Sequence, residues 1–134
     1  MICYESAFGS FVTAYIRKGA EAIFIITNDG WWKNTGGYRQ HLSYASLRAI
    51  ENRRPVARCG NTGISCFIDI KGNIRQETGW YSEAVLKGEI IPEKSVTFYS
   101  KYGDYILRIS LLVSILIMLY TFVSLPAGKK MKKI

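Results

Sequence analysis

The stretch Ala22-Ile23-Phe24-Ile25-Ile26-Thr27, followed at once by Asn28-Asp29, decides the fold. It is an unbroken apolar run rich in β-branched residues, the pattern of a strand covered on both faces. Upstream of it, Phe8, Val12, Tyr15 and Ile16 recur at three- and four-residue steps. Residues 7–18 are therefore expected to form a helix, stopped by Gly19 just past Arg17 and Lys18. Before that helix, in Ile2-Cys3-Tyr4-Glu5-Ser6, an apolar strand gives way to polar residues. Strand, helix, strand predicts a parallel βαβ unit. In open α/β sheets ligands bind where strand C-termini meet the following loops, and both Cys3 and Asn28-Asp29 fall at such ends.

Cys3 has two readings on its residues alone. Free cysteine is commonly a small core residue. Alternatively, the start of a helix stabilises negative charge, which favours the thiolate that acts as a nucleophile. The loop from Asn28 to Gly37 mixes turn formers with Trp31 and Trp32. Flanked by glycines, the two indoles either line a cleft or touch lipid, where Trp is favoured at the water interface; the competing reading is that one of them caps the core. Asn28, Asp29, Trp31 and Trp32 are the candidate substrate-binding residues.

Residues 38–53 form the second helix, with Tyr38, Leu42, Ala45, Ala49 and Asn52 on one side and Pro55 preventing continuation. Arg48 and Glu51, three apart, can pair as a helix-stabilising ion pair if exposed. His41, the only histidine, has no carboxylate at a set spacing and reads as a structural hydrogen-bonding residue rather than a general base. Val56-Ala57-Arg58-Cys59 and Ile64-Ser65-Cys66-Phe67-Ile68 read as strands around Gly60-Asn61-Thr62-Gly63, and a turn at residues 69–73 leads to Ile74-Arg75-Gln76-Glu77. Residues 84–91 are expected to add another strand. Cys59 and Cys66 are expected to be core thiols; if the domain lies outside the cytoplasm they can alternatively pair as a disulfide.

Residues 92–104 read as an aromatic, mildly polar linker. From Ile106 to Leu125 the chain is apolar apart from Arg108 and small hydroxyl residues. Twenty helical residues span about 30 Å, the thickness of a bilayer's hydrocarbon core. Residues 105–125 are therefore expected to be transmembrane, with Tyr99, Tyr102 and Tyr105 as an aromatic belt. Lys129, Lys130, Lys132 and Lys133 make residues 126–134 a basic tail, cytoplasmic by the positive-inside bias, which puts residues 1–104 on the outer face.

The net charge of +8 is concentrated in that tail: residues 1–104 hold 13 Lys and Arg against 10 Asp and Glu. With no longer basic run than Arg53-Arg54, nucleic acid is not an expected partner. Three irregularly spaced cysteines do not make a zinc site, so no metal is expected. The N-terminus lacks a basic region followed by an apolar run and a cleavage site, so export is expected to depend on an upstream piece.

Four motifs in order, Ile2-Cys3-Tyr4-Glu5, Thr27-Asn28-Asp29-Gly30-Trp31-Trp32, Leu47 to Pro55 (LRAIENRRP) and Asn61-Thr62-Gly63-Ile64-Ser65, resemble the nitrilase, or carbon-nitrogen hydrolase, superfamily. Within it the paired Trp31-Trp32, the stretch Thr97 to Asp104 and the apolar segment that follows are similar to the C-terminal part of the apolipoprotein N-acyltransferases. The resemblance implies an α/β fold: the C-terminal half of a nitrilase-like α-β-β-α sandwich over residues 1–104, followed by one transmembrane helix. It implies that Cys3 attacks an acyl ester of a phospholipid to give a thioester, which the α-amino group of a lipoprotein's N-terminal cysteine resolves, with no cofactor. Tyr4 is then expected to help form the acyl or oxyanion site, and Glu5 to orient the site by hydrogen bonding or to serve in a structural ion pair. Arg48 and Glu51 take a buried scaffold role. The family's catalytic glutamate and lysine lie upstream of the cysteine motif, and only two residues precede Cys3 here, so the chain is expected to be a C-terminal fragment whose missing half is a possible partner. Two further readings stand beside this one: a membrane-tethered nitrilase-type amidase using water, and a non-catalytic remnant or subunit that completes a partner chain.

Overall fold

The computed structural model describes residues 1–124. They divide into a folded body, residues 1–103, and a separate unit beginning at Asp104. In the body a 3-10 turn, Cys3–Ala7, leads into α1, Gly9–Arg17. Then come β1, Ile23–Thr27, and, after a second 3-10 turn at Asp29–Trp32, α2, Gly36–Asn52. Strands β2, Val56–Gly60, β3, Cys66–Ile68, and β4, Ile74–Glu77, follow, and a short helix α3, Phe98–Tyr102, closes the body. The sheet order is β1-β2-β3-β4. β1 and β2 are parallel, in register from Ile23 opposite Val56 to Thr27 opposite Gly60, and the other two pairs are antiparallel. Ile2 adds one parallel bridge to Ile26, so the expected βαβ unit forms on a first strand of minimal length.

One face of this mixed sheet carries the core. Ile23, Ile25, Val56, Cys66 and Ile68 meet Val12 and Ile16 of α1 and Leu42, Ala45 and Ala49 of α2. This is an α/β architecture, one helix layer on one sheet, as expected of half a four-layer sandwich. Truncating Ile25 at its centre, which is 1% exposed, to Ala removes about 2–5 kcal/mol. Residues of β1 alternate across the sheet, so Phe24 and Ile26 point away from the helices and are 59% and 65% exposed. The double-sided cover expected for β1 is thus corrected: among the described residues it is covered on the helix face alone. The same alternation separates the two later cysteines. Cys66 points into the core, Cys59 is exposed on the opposite face, and both are free, so the reading of Cys59 as a core thiol and the disulfide alternative fall together.

Two further expectations change. Residues 84–91 join no strand; Gly88 instead passes against the ring of Phe67. Residues 92–104 are not a free linker. Arg54 donates to the carbonyls of Ala20 (2.8 Å) and Ser95 (2.7 Å), and Thr97 donates to that of Glu51 (2.6 Å). Ser100, fully buried, donates to Asn52 Oδ1 at 2.9 Å, while Arg17 donates to its carbonyl at 2.6 Å. Thr97 also caps α3 by accepting from the Ser100 amide. Asn52 carries the clasp inward, accepting from Thr13 and donating to the Arg48 carbonyl. Beside it Arg48 and Glu51 form a largely buried ion pair at 3.3 Å, in the scaffold role and not as a solvated surface pair.

In the second unit, α4 spans Tyr105–Ser124 with Asp104 accepting from the Leu107 amide at its start. An 18-residue window within it has a mean hydropathy of 2.3, and none of its residues is buried. By length and composition it is able to cross a membrane. Leu125 and the expected basic tail, 126–134, lie outside the described residues.

Candidate active site

The three parallel segments, Ile2, β1 and β2, end side by side, and the residues that follow them form one rim. Cys3 follows Ile2, Asn28 and Asp29 follow β1, and Asn61 to Gly63 follow β2. The Asn61 amide donates to the Thr27 carbonyl at 2.9 Å, which holds the last two loops together. Cys3 takes φ +51° at the junction between its strand and the 3-10 turn. A non-glycine residue in that left-handed region costs about 1–3 kcal/mol, so the surrounding contacts must impose it. Glu5 supplies one of them, its Oε2 accepting from the Ile2 amide at 2.7 Å. Ser6, fully buried, supplies another by donating to the Cys3 carbonyl at 3.0 Å.

Behind the cysteine, the helix-covered face of the sheet turns polar. Thr27 continues the Ile23–Ile25 row and Arg58 continues that of Val56; both are buried. Between them sits Asp29, 1% exposed, which expectation had facing substrate and which lies instead in the floor beneath the rim. Its Oδ2 accepts from Arg58 and its Oδ1 from His41 Nδ1 at 2.8 Å. Burial on its own pushes this carboxyl up, but the hydrogen bond from His41 and the Arg58 guanidinium, helped by Thr27, outweigh it and hold it below the usual carboxylate range. Because a carboxylate only accepts, His41 donates from Nδ1 to Asp29, and its Nε2 lies 3.3 Å from both Ser6 Oγ and the Cys3 carbonyl. His41 is thus the structural hydrogen-bonding residue anticipated, though with a carboxylate partner that sequence spacing did not reveal. Gly63 presses on Asp29 so closely that a Cβ there would overlap the carboxylate.

The sulfur's hydrogen-bond partner is Thr27, Oγ1 to Sγ 3.4 Å. Tyr4, half exposed, packs its ring at 5.6 Å from His41, 6.0 Å from Phe8 and 6.4 Å from Trp32. Trp32 leans on Gly37, whereas Trp31 is 83% exposed and makes none of these ring contacts. Asn28 is a loop brace: its Oδ1 accepts from the Gly30 amide at 3.1 Å and from the Thr62 hydroxyl at 2.9 Å. The structure therefore brings Cys3, Tyr4, Glu5 and Trp32 together, with Asn28 on the rim and Asp29 below it. Sequence reasoning missed Thr27, Ser6 and Arg58. Arg58 was findable, because an arginine at an inward strand position requires a buried anion.

A half-buried free cysteine in the left-handed backbone region, at a strand-to-helix turn on the rim where the parallel segments end, marks the candidate site of this α/β body. The chain belongs to the carbon-nitrogen hydrolase family, whose model matches residues 1–97. Among curated relatives, apolipoprotein N-acyltransferase of Chlorobaculum tepidum is 41% identical over 111 residues, which is 83% of this chain and 21% of that protein. The enzyme of the same name from Thermotoga maritima is 30% identical over 129 residues, 96% of this chain and 25% of that protein. Among solved structures, Saccharomyces cerevisiae Nit3, a member of branch 10 of the nitrilase superfamily, is 26% identical with a TM-score of 0.47, over 61% of this chain and 33% of that one. The chain thus spans between a fifth and a quarter of the length of these curated relatives.

Proposed function

We propose that this chain supplies the nucleophile half of an apolipoprotein N-acyltransferase: Cys3 takes an acyl chain from a phospholipid as a thioester and yields it to the α-amine of a lipoprotein's N-terminal cysteine. The observation that carries the reading is the imposed left-handed backbone at Cys3, which lifts the residue to the rim with a hydroxyl on its sulfur. Thiolate suits a two-step transfer because it is both a good nucleophile and a good leaving group. In the first step the sulfur bonds to the ester carbonyl carbon, and the glycerol oxygen leaves as the alcohol. In the second step the amine nitrogen replaces the sulfur, and the thiol is restored. The base for the thiol proton and the lysine that steadies the oxyanion belong, in this proposal, to the part of the curated relatives that this chain does not span.

Tyr4, Trp32 and the exposed Trp31 supply an apolar rim suited to an acyl chain at the water interface, and Glu5 keeps the backbone before Cys3 in place. Asp29 acts from beneath, through His41 and Thr27, and Asn28 through the loop it braces. In the membrane, α4 spans a bacterial cytoplasmic bilayer, with the body on the outer face and the lysine-rich tail in the cytoplasm. The test combines this chain, in detergent, with the upstream piece of a related acyltransferase ending before its cysteine strand, and adds phospholipid. The expected result is an acyl mass on the Cys3 peptide that hydroxylamine removes and that the Cys3→Ala variant lacks. If the two pieces associate and Cys3 stays unacylated, the proposal fails.

A further inference from the structure

Thr27 Oγ1 stands 3.4 Å from Cys3 Sγ and 3.0 Å from Asp29 Oδ1, in a side chain only 4% exposed. A hydroxyl has a single proton, so it donates to one of these neighbours at a time. We infer that Thr27 is a two-position donor for the Cys3 sulfur: it gives its hydrogen to Asp29 while the thiol is protonated, and turns it onto the sulfur when the thiolate forms. The inference rests on the reading of Cys3 as the nucleophile.

In the resting state the carboxylate is by far the better acceptor, so the Thr27 hydrogen lies on Asp29 and the S–H donates to a Thr27 lone pair. Loss of the thiol proton reverses the ranking, because the sulfur becomes an anion. Asp29 tolerates the change, since His41 Nδ1 still donates to Oδ1 and Arg58 to Oδ2. The only motion is rotation about the Thr27 Cβ–Oγ1 bond. As a β-branched residue in a strand, Thr27 is held to few χ1 values, which keeps its oxygen aimed. The protons balance simply: the thiol proton leaves for the base, the Thr27 proton stays on Thr27, and Asp29 is an anion throughout. A relay that ended on Asp29 would require protonating a carboxyl already held below its usual range. The other ionisable groups near the cysteine face elsewhere. Glu5 is turned to the Ile2 amide, His41 to the Cys3 carbonyl, Arg58 to Asp29, and the Tyr4 ring lies over His41.

The experiment is the pH profile of iodoacetamide alkylation in the full chain in detergent micelles, read peptide by peptide by mass, for wild type, T27V, T27A and T27S. With the hydroxyl removed, the Cys3 midpoint is expected to move to higher pH by about one unit, and the rate on the rising limb to fall about tenfold. T27S, which keeps the hydroxyl, returns both to the wild-type values, and exposed Cys59 keeps one midpoint in all four proteins. T27A gives the same measurement with less bulk should T27V unfold. An unmoved Cys3 midpoint in T27V and T27A overturns the inference. So does an equal shift in T27S, which would trace the effect to the methyl group, and so does a parallel shift at Cys59, which would trace it to loosened folding. The profile is read on the thiol itself, so a Cys3 that responds to Thr27 and never carries an acyl group would sink the proposed function alone.

Discussion

Removing the Arg58 guanidinium while keeping its bulk, as in Arg58→Met, leaves Asp29 as a buried carboxylate with one oxygen stripped of its charged partner. Both side chains are at most 1% exposed, so water does not make good the loss. Deleting one partner of such a pair costs about 3–5 kcal/mol, because the remaining charge stays desolvated. His41 and Thr27 still serve Oδ1, which points to the lower end of that range, about 3 kcal/mol. For a body of about 100 residues each kcal/mol moves the melting temperature by roughly 4–8 °C, so the expected fall is about 12–24 °C. The assay is thermal unfolding of the full chain in detergent, followed by near-ultraviolet circular dichroism, which reads the aromatic packing of the body. The companion Arg58→Met/Asp29→Asn removes both charges and is expected to recover at least half of the loss. A single variant that melts within about 4 °C of wild type, or a double variant no more stable than the single, would refute the account of Asp29 as a charge held by Arg58.

Burial raises the Cys66 thiol to about 11, so above about pH 9 the unfolded chain gives up a proton that the folded chain keeps. Stability is accordingly full below that pH and falls as pH rises toward 11, by roughly 2 kcal/mol from this group, and the fall is absent in a Cys66→Ala variant titrated alongside. At neutral pH Cys66 should resist iodoacetamide while exposed Cys59 reacts; labelling of Cys66 at the rate of Cys59 would contradict the core assignment. Gly63→Ala sets a methyl against the Asp29 carboxylate and is expected to destabilise by about 1–3 kcal/mol, measured by urea unfolding. Deleting residues 104–134 should move the chain out of the detergent-dependent fraction on high-speed sedimentation, and a full chain that stays in the supernatant without detergent counts against α4 as an anchor.

Much of the fold was legible because it is periodic. The two helices and the buried side of α2 follow from spacings of three to four residues, α4 from the length of its apolar run, and the parallel pairing of Ile2 with β1 from the order strand, helix, strand. Periodicity fails where cover is supplied by other chain segments: the run Ile23–Thr27 is apolar on both faces, and its residues alone do not say that one face lies open. It fails again at residues 95–100, where hydroxyls meet backbone carbonyls of distant elements and leave no repeat to detect. At the candidate site, motif order located Cys3, Tyr4 and Glu5. The ring of Thr27, Asp29, His41 and Arg58 draws single residues from two strands, a loop and a helix, which only the register of β1 on β2 brings together.

The strand that delivers Cys3 is held to β1 by the Ile26 amide, which donates to the Met1 carbonyl at 3.0 Å, and by the Met1 amine, which donates to the Phe24 carbonyl at 2.7 Å. Amide exchange therefore separates two clocks within one strand. The Ile23 amide, bonded to the Pro55 carbonyl inside the sheet at 2.9 Å, exchanges only when β1 and β2 part. The Ile26 amide exchanges whenever Met1 lifts away, so its protection factor measures how much of the time the cysteine is seated on its rim.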